Sequence, residues 1–237
     1  MADQNVSYTL DGKVAVLRID DGKANAVSAE LMEELDAALE RAETEARAVV
    51  LIGRPGRFSA GFDLTVMMAS PDSARDLVRT GAQFLMNLYL HPQPVVVACT
   101  GHALAAGALM LLAADVRIAA EGAFKIGLNE VAIGMRLPVF AIELARERLS
   151  RRHFVSATTL GRVYAPAEAL DVGFVDRVVA AELCIDEALA TARKLAELPS
   201  GALAETKRLS RQFTVEYIVD TLDEDLATVG PPKPPAL

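Results

Sequence analysis

The chain has 237 residues, enough for one large domain or a domain with a small appendage. Hydrophobic residues make up 52% and aromatic ones only 5%, with no Trp, so the core has to be aliphatic and rich in alanine. A formal net charge of −8 weighs against nucleic acid or an anionic membrane as general partners, while allowing a local basic patch for a phosphorylated ligand.

The first residues, MADQNVSYTL, carry no basic region followed by an apolar stretch, so no secretory signal is expected. Val6 to Leu10 and Val14 to Ile19 alternate around Asp11-Gly12, a hairpin pattern. Ser28 can cap a helix in which Leu31, Leu35 and Leu39 recur at helical spacing. Ala48 to Ile52 reads as a strand ending in the turn Gly53-Arg54-Pro55-Gly56. Arg57 to Leu64, with Ser59-Ala60-Gly61 at its centre, leads from that turn into a short helix and loop over Asp63 to Pro71. Such a corner leaves backbone N–H groups pointing outward. A longer helix is expected from about Ser73 to Leu90, stopped by Pro92 and Pro94.

The stretch that follows organises the rest. Val95 to Ala98 makes a buried strand, Thr100-Gly101-His102 breaks it, and Ala103 to Ala114 is predicted as a helix that is apolar on every side. Its small first turn, Ala103 to Gly107, suits the close approach of an anion or a polarised carbonyl to unpaired N–H groups; close helix packing explains the same residues equally well. Val95 to Ala114 runs without a charged group, but it contains Thr-Gly-His and is dominated by alanine, so it reads as strand and helix rather than a membrane span. Glu130 sits among Ile126, Gly127, Leu128, Val131, Ala132 and Ile133, where desolvation would raise the pKa of a carboxylate; Asn129 beside it fits a surface loop instead.

Beyond Gly134 the chain becomes helical, over Val139 to Leu149, from Pro166 to Gly173, from Asp186 to Leu198 and from Ala202 to Phe213. The tail Gly230 to Pro235 is too rich in proline for helix or ladder and should be extended or disordered. Cys99 and Cys184 lie far apart in apolar surroundings, as buried free thiols of a reducing, cytoplasmic compartment would. With His91, His102 and His153 they form no metal-ligand spacing, so no metal is expected. His102 stands near the second donor corner and could touch a substrate. Strands and helices alternate, which argues for α/β architecture.

Two of these segments carry a resemblance. SAGFDL (Ser59 to Leu64) and TGHALAAGALMLLAADVRIA (Thr100 to Ala119) resemble the two signature regions of the crotonase, or enoyl-CoA hydratase/isomerase, superfamily. Gly22 to Val27 is similar to its N-terminal motif, and Gly173 to Val179 to the segment leading into its C-terminal helices. The resemblance implies a spiral of β-β-α turns over residues 1–185, a helical oligomerisation region over 186–229, and a homotrimer or dimer of trimers.

It also implies that the N–H groups of Phe62 and Ala106 form an oxyanion hole for the thioester carbonyl of an acyl-CoA. Lys23, Ala24 and Ala26, with Ala60, Asp63 and Leu64, would lie along the CoA moiety, and Lys207 near its phosphates. No separate cofactor is implied, because CoA is part of the substrate. Of the two acids typical of hydratases, the second falls on Glu130 and the first on Leu109, which has no acid–base chemistry. Hydration is easiest to build with two carboxyl groups, whereas moving a double bond needs one base beside an oxyanion hole. The GLNE stretch, Gly127 to Glu130, is similar to that of the family's isomerases. The expectation is therefore an enoyl-CoA isomerase, with a hydratase of fatty-acid β-oxidation and a non-catalytic acyl-CoA-binding protein as alternatives.

Overall fold

The computed structural model describes residues 5–232 of the chain. The hairpin forms as expected from β1 (Val6–Asp11) and β2 (Val14–Ile19), and β3 (Ala26–Val27) precedes α1 (Ala29–Glu45). Ser28 caps α1 by accepting the Leu31 N–H at 3.2 Å, and Leu31, Leu35 and Leu39 are buried on one face. The next turn comprises β4 (Ala48–Ile52), β5 (Gly56–Ser59), β6 (Gly61–Phe62), α2 (Leu64–Ala69) and α3 (Pro71–Leu90). A third contains β7 (Val95–Cys99), β8 (Gly101–Leu104) and α4 (Ala106–Ala113). A fourth contains β9 (Val116–Ala120), β10 (Ile126–Gly127), a 3₁₀ turn over Val131–Ile133 and α5 (Val139–Arg148). Then follow α6 (Phe154–Ala157), α7 (Pro166–Val172), β11 (Arg177–Val179), α8 (Cys184–Leu195) and α9 (Ser200–Leu226).

After the first turn, each turn sends its first strand into the large sheet and its second into a smaller one, which is how the β-β-α spiral is built. The large sheet has the order β1-β2-β4-β7-β9-β11, parallel except for the β1–β2 hairpin. The small one has the order β10-β8-β5, parallel throughout, and β3 pairs with β6 beside it. The strand period of two divides the core. Val49, Leu51, Val95, Val97 and Cys99 face the cluster under α1, α3, α4 and α5. Val50, Ile52, Val96 and Ala98 face the opposite way, against Cys184, Ala188 and Ala192 of α8. Small residues one turn apart on α8 let the helix sit close to the strands.

Three expectations are corrected. Ala103 and Leu104 are strand, and the helix begins only at Ala106, because β8 is flanked by partners on both sides and ladder bonds override alanine's helical propensity. The last helix continues past Phe213 to Leu226, where it packs on α3 and α5. The boundary drawn at 185/186 falls inside α8, which covers the large sheet. Gly230 to Pro232 adopt neither helix nor strand, and the rest of the tail, 233–237, lies outside the described residues. No helix among the described residues is long and apolar enough to cross a membrane.

Candidate active site

Because β5, β8 and β10 run parallel, with one register shift between Arg57 and Ser59, their C-terminal ends emerge on one edge of the small sheet. Ser59 and Ile126 both align with Ala103 of the central strand. Phe62 lies just beyond β5, Ala106 just beyond β8 and Glu130 three residues beyond β10, so the topology gathers the three positions at that edge.

At the first corner, β6 pairs with β3 and Asp63 N–H donates to Val27 O at 3.2 Å. Successive N–H groups of a strand point to opposite edges, so that of Phe62 is turned away from β3. At the second corner, the first intrahelical bond runs from Leu109 N to Ala105 O at 3.0 Å. The N–H groups of Ala106 and its two successors are therefore left without helical partners, and no side chain caps them. The two corners touch. A Cβ added at Gly61 would stand 2.9 Å from Leu104 O and 3.4 Å from Ala106 N, and one at Gly107 would stand 2.6 Å from Ser59 O. Glycine at both places permits the contact, so the small residues serve close packing. Phe62 and Ala106 border one gap in the packing together with Val27, Gly81, Phe84, Leu85 and Met110, a gap too small to hold a water molecule.

Ala105, between β8 and α4, has φ 49° and ψ −122°, a region that disfavours residues with a Cβ. The strain sits directly before the Ala106 N–H, which has no helical partner, where the chain turns from ladder to helix. Ala105→Gly should relieve it and raise stability by roughly 1 kcal/mol. A rise in the thermal midpoint measures this, and a fall would mean that the Ala105 methyl contributes more packing than strain.

Glu130 is only 7% exposed, and its Oε2 is buried without a hydrogen-bond partner. The surface-loop alternative is thereby overturned. Burial pushes its pKa up to about 7, with only its own backbone N–H to offset the desolvation. The Asn129 Oδ1 beside it is likewise buried and unpartnered. Glu130 O accepts the N–H groups of Ile133 and Met135 at 3.0 and 2.9 Å, which winds the loop that follows. That loop is anchored by a residue whose role sequence could not announce. Pro138 at the start of α5 offers no side-chain cap, and Asp225 of α9 supplies one, accepting Val139 N–H at 2.8 Å and Arg136 Nη1–H at 2.7 Å. Leu109 is buried in the main core, so no carboxyl group stands at that position.

Around Lys23 the hub is Asn25, fully buried with φ 52°. Its amide donates to Ile19 O at 3.0 Å and Phe58 O at 3.1 Å while its Oδ1 accepts Asp21 N–H at 3.0 Å. This holds Ala24 against Ala60, whose N–H donates to Ala24 O at 3.1 Å. Lys23 and Leu64 are exposed, and Asp63 caps α2 by accepting Thr65 N–H at 2.7 Å. Ala26 belongs to β3 opposite Gly61.

Lys207 is a correction. Its Nζ donates to His91 O at 2.8 Å, Gln93 O at 2.7 Å and Asp115 Oδ2 at 2.6 Å, so all three donors of a buried ammonium are used within the chain and none remains for a phosphate. His102 lies in the small sheet, with its Nδ1 accepting Lys125 N–H at 3.0 Å and its ring edge-on to Phe124.

A family profile described as Enoyl-CoA hydratase/isomerase matches residues 9–227. The chain belongs to the enoyl-CoA hydratase/isomerase family. It is 34% identical to human mitochondrial enoyl-CoA delta isomerase 1 over 218 residues, spanning 90% of this chain and 72% of the relative. To a probable enoyl-CoA hydratase of Bacillus subtilis strain 168 it is 35% identical, over 86% and 81% of the two chains. Among solved structures, an enoyl-CoA hydratase/isomerase family protein from Pseudomonas syringae superposes with a TM-score of 0.92 at 39% identity, covering 95% of this chain and 98% of that one. Human mitochondrial Δ3-Δ2-enoyl-CoA isomerase superposes with a TM-score of 0.90 at 33% identity, covering 94% and 90%. The crotonase fold and an acyl-CoA chemistry of fatty-acid metabolism follow from family membership.

Proposed function

We propose that this family member is an enoyl-CoA isomerase that moves a double bond with one carboxylate. The observation that carries the reading is the pairing of a buried, unpartnered Glu130 carboxylate with leucine at position 109. In this mechanism the thioester oxygen of a 3-enoyl-CoA accepts hydrogen bonds from Phe62 N–H and Ala106 N–H. Glu130 removes a proton from C2; the C2–H electrons form a C1–C2 double bond as the carbonyl becomes an enolate oxygen held by the two donors. The C3–C4 π pair then takes the proton from Glu130 to form the C4–H bond, the C1–C2 π pair moves to C2–C3, the enolate oxygen's pair restores the carbonyl, and a 2-enoyl-CoA leaves with the carboxylate restored. Each main-chain donor contributes roughly 10²–10³ in rate when preorganised. A pKa near 7 suits a group that must both take and give a proton.

CoA enters as part of the substrate, along Lys23, Ala24, Ala26, Ala60, Asp63 and Leu64. Leu209, Phe213 and Tyr217 recur one turn apart on α9 and are exposed, which supports assembly into a homotrimer or dimer of trimers through that helix. Assay of a panel of 3-enoyl-CoA and 2-enoyl-CoA thioesters tests the function. Conversion of the former to the latter is expected. Formation of a 3-hydroxy product without a shifted double bond would make the protein a hydratase, and binding without either product would make it an acyl-CoA carrier.

A further inference from the structure

We propose that Asp225, together with Arg136, is a positioning residue for the reaction: from the last turn of α9 it fastens the loop that begins at Glu130 and so holds the base in place and out of water. This rests on the reading of Glu130 as the base. A catalytic base is ordinarily oriented by a further group bonded to its side chain. Among the described residues none does this for Glu130. Its Oε2 is buried without a partner, its own main-chain N–H is the one donor acting on the carboxylate, and no neighbouring charge contributes to the rise in its pKa. The carboxylate therefore goes where the main chain takes it.

That main chain needs outside support. Glu130 is 7% exposed, yet Val131, Ala132, Gly134 and Arg136, which follow it, are all exposed. A surface segment with few buried contacts opens locally at low cost unless its ends are fixed. The near end closes on Glu130 O through the Ile133 and Met135 N–H groups. The far end is tied to α9: Asp225 Oδ2 accepts Val139 N–H at 2.8 Å and Oδ1 accepts Arg136 Nη1–H at 2.7 Å, while Arg136 Nη2 also donates to Thr228 Oγ1 at 2.6 Å and to Asp225 O.

Charge shows which element Asp225 serves. The last turn of α9 holds Asp223, Glu224 and Asp225 and no basic residue, an arrangement that its own dipole disfavours. At the N-terminus of α5 the same carboxylate is favoured, and Pro138 supplies no cap there. Arg136 brings the cation that the end of α9 lacks. The Asp225 side chain is only 7% exposed, so water competes little for it. A long helix thus accepts an unfavourable end in order to hold a loop 89 positions earlier.

The test compares the unaltered full chain with Asp225→Ala and Arg136→Met, using Lys207→Met as a control that loses stability without touching the loop. Carbon NMR of labelled glutamate follows the titration of the Glu130 carboxyl, assigned by its absence from Glu130→Gln, and kcat and KM for a 3-enoyl-CoA are measured over the same pH range. In Asp225→Ala the carboxyl should titrate about one pH unit or more lower, because water reaches it. The acid limb of kcat/KM should move with it. At the pH of fastest turnover kcat should fall by about tenfold or more with KM changed less than about threefold, the mark of a group misplaced for the transition state. Arg136→Met leaves Asp225 on Val139, so it should give smaller changes in the same direction, and it carries the comparison if Asp225→Ala does not fold. Lys207→Met should leave the titration where it is. A Glu130 titration unmoved in the loop variants, or moved as far in the control, overturns the proposal. An unaltered chain that turns over no enoyl-CoA would instead sink the isomerase reading, while the carboxyl titration would still report whether Asp225 holds Glu130.

Discussion

Glu130→Gln is expected to lower the rate of double-bond migration by roughly 10²–10⁴-fold while acyl-CoA affinity stays close to that of the unaltered chain. The amide has nearly the same size but cannot accept the C2 proton, and the main-chain donors at 62 and 106 are untouched. The pH dependence follows from burial. With a pKa of about 7, the reactive carboxylate is lost as pH falls, so kcat/KM should drop about tenfold per unit below that value and level off above it. Stability should run the opposite way. The folded-state pKa lies above the ordinary glutamate value, so the protonated form favours folding: the contribution is fully present below the unfolded pKa and is lost as pH rises through about 7. The penalty at pH 8 is on the order of 3 kcal/mol. Glu130→Gln should therefore unfold at a higher temperature than the unaltered chain near pH 8, with the gap closing near pH 5. Undiminished turnover in the variant would remove Glu130 from the chemistry, and a rate level between about pH 5.5 and 8 would remove the raised pKa.

Local chemistry made much of the scaffold readable. Ser28 before Leu31, Leu35 and Leu39 announces α1, Asp11-Gly12 announces the hairpin, and the β-branched runs Ala48 to Ile52 and Val95 to Ala98 announce the two central strands. The shortest strands outside the large sheet were not readable: β3, β6 and β10 have two residues each, too few to show a period. They exist because neighbouring turns of the spiral bring partners to them. The same non-local pairing turns Ala103 and Leu104 from expected helix into strand. At the candidate site, the burial of Glu130 depends on a loop tied down by Asp225, 95 positions later, and no window around residue 130 contains that tie. Lys207 misled for a related reason. On a polar helix a lysine reads as solvated or as a phosphate ligand, whereas its real partners, His91, Gln93 and Asp115, are about a hundred residues away in sequence.

Asp115→Ala should give the largest loss of stability of any substitution considered, roughly 3–5 kcal/mol. Asp115 lies between α4 and β9 and accepts three hydrogen bonds, from Val95 N–H at 2.7 Å, Lys207 Nζ at 2.6 Å and Arg211 Nη2 at 2.7 Å. The side chains of Lys207 and Arg211 are 7% and 11% exposed, so removing the carboxylate strands two cations away from water and frees the first N–H of β7. Lys207→Met removes one charge and keeps most of the volume. Asp115 retains Arg211, and the loss should be only about 1–3 kcal/mol, from the carbonyls of His91 and Gln93 left without a donor. The double variant should lose less than the two single losses added together, because Asp115→Ala costs most where Lys207 is still charged. Urea midpoints at unchanged slope measure all three. The same contacts fasten α9 to the start of β7, whose far end leads through β8 to Ala106, so acyl-CoA affinity in Lys207→Met should be that of the unaltered chain. A drop of tenfold or more in CoA affinity without loss of stability would return Lys207 to the phosphates. A loss under about 1 kcal/mol in Asp115→Ala would mean that water reaches these cations in solution.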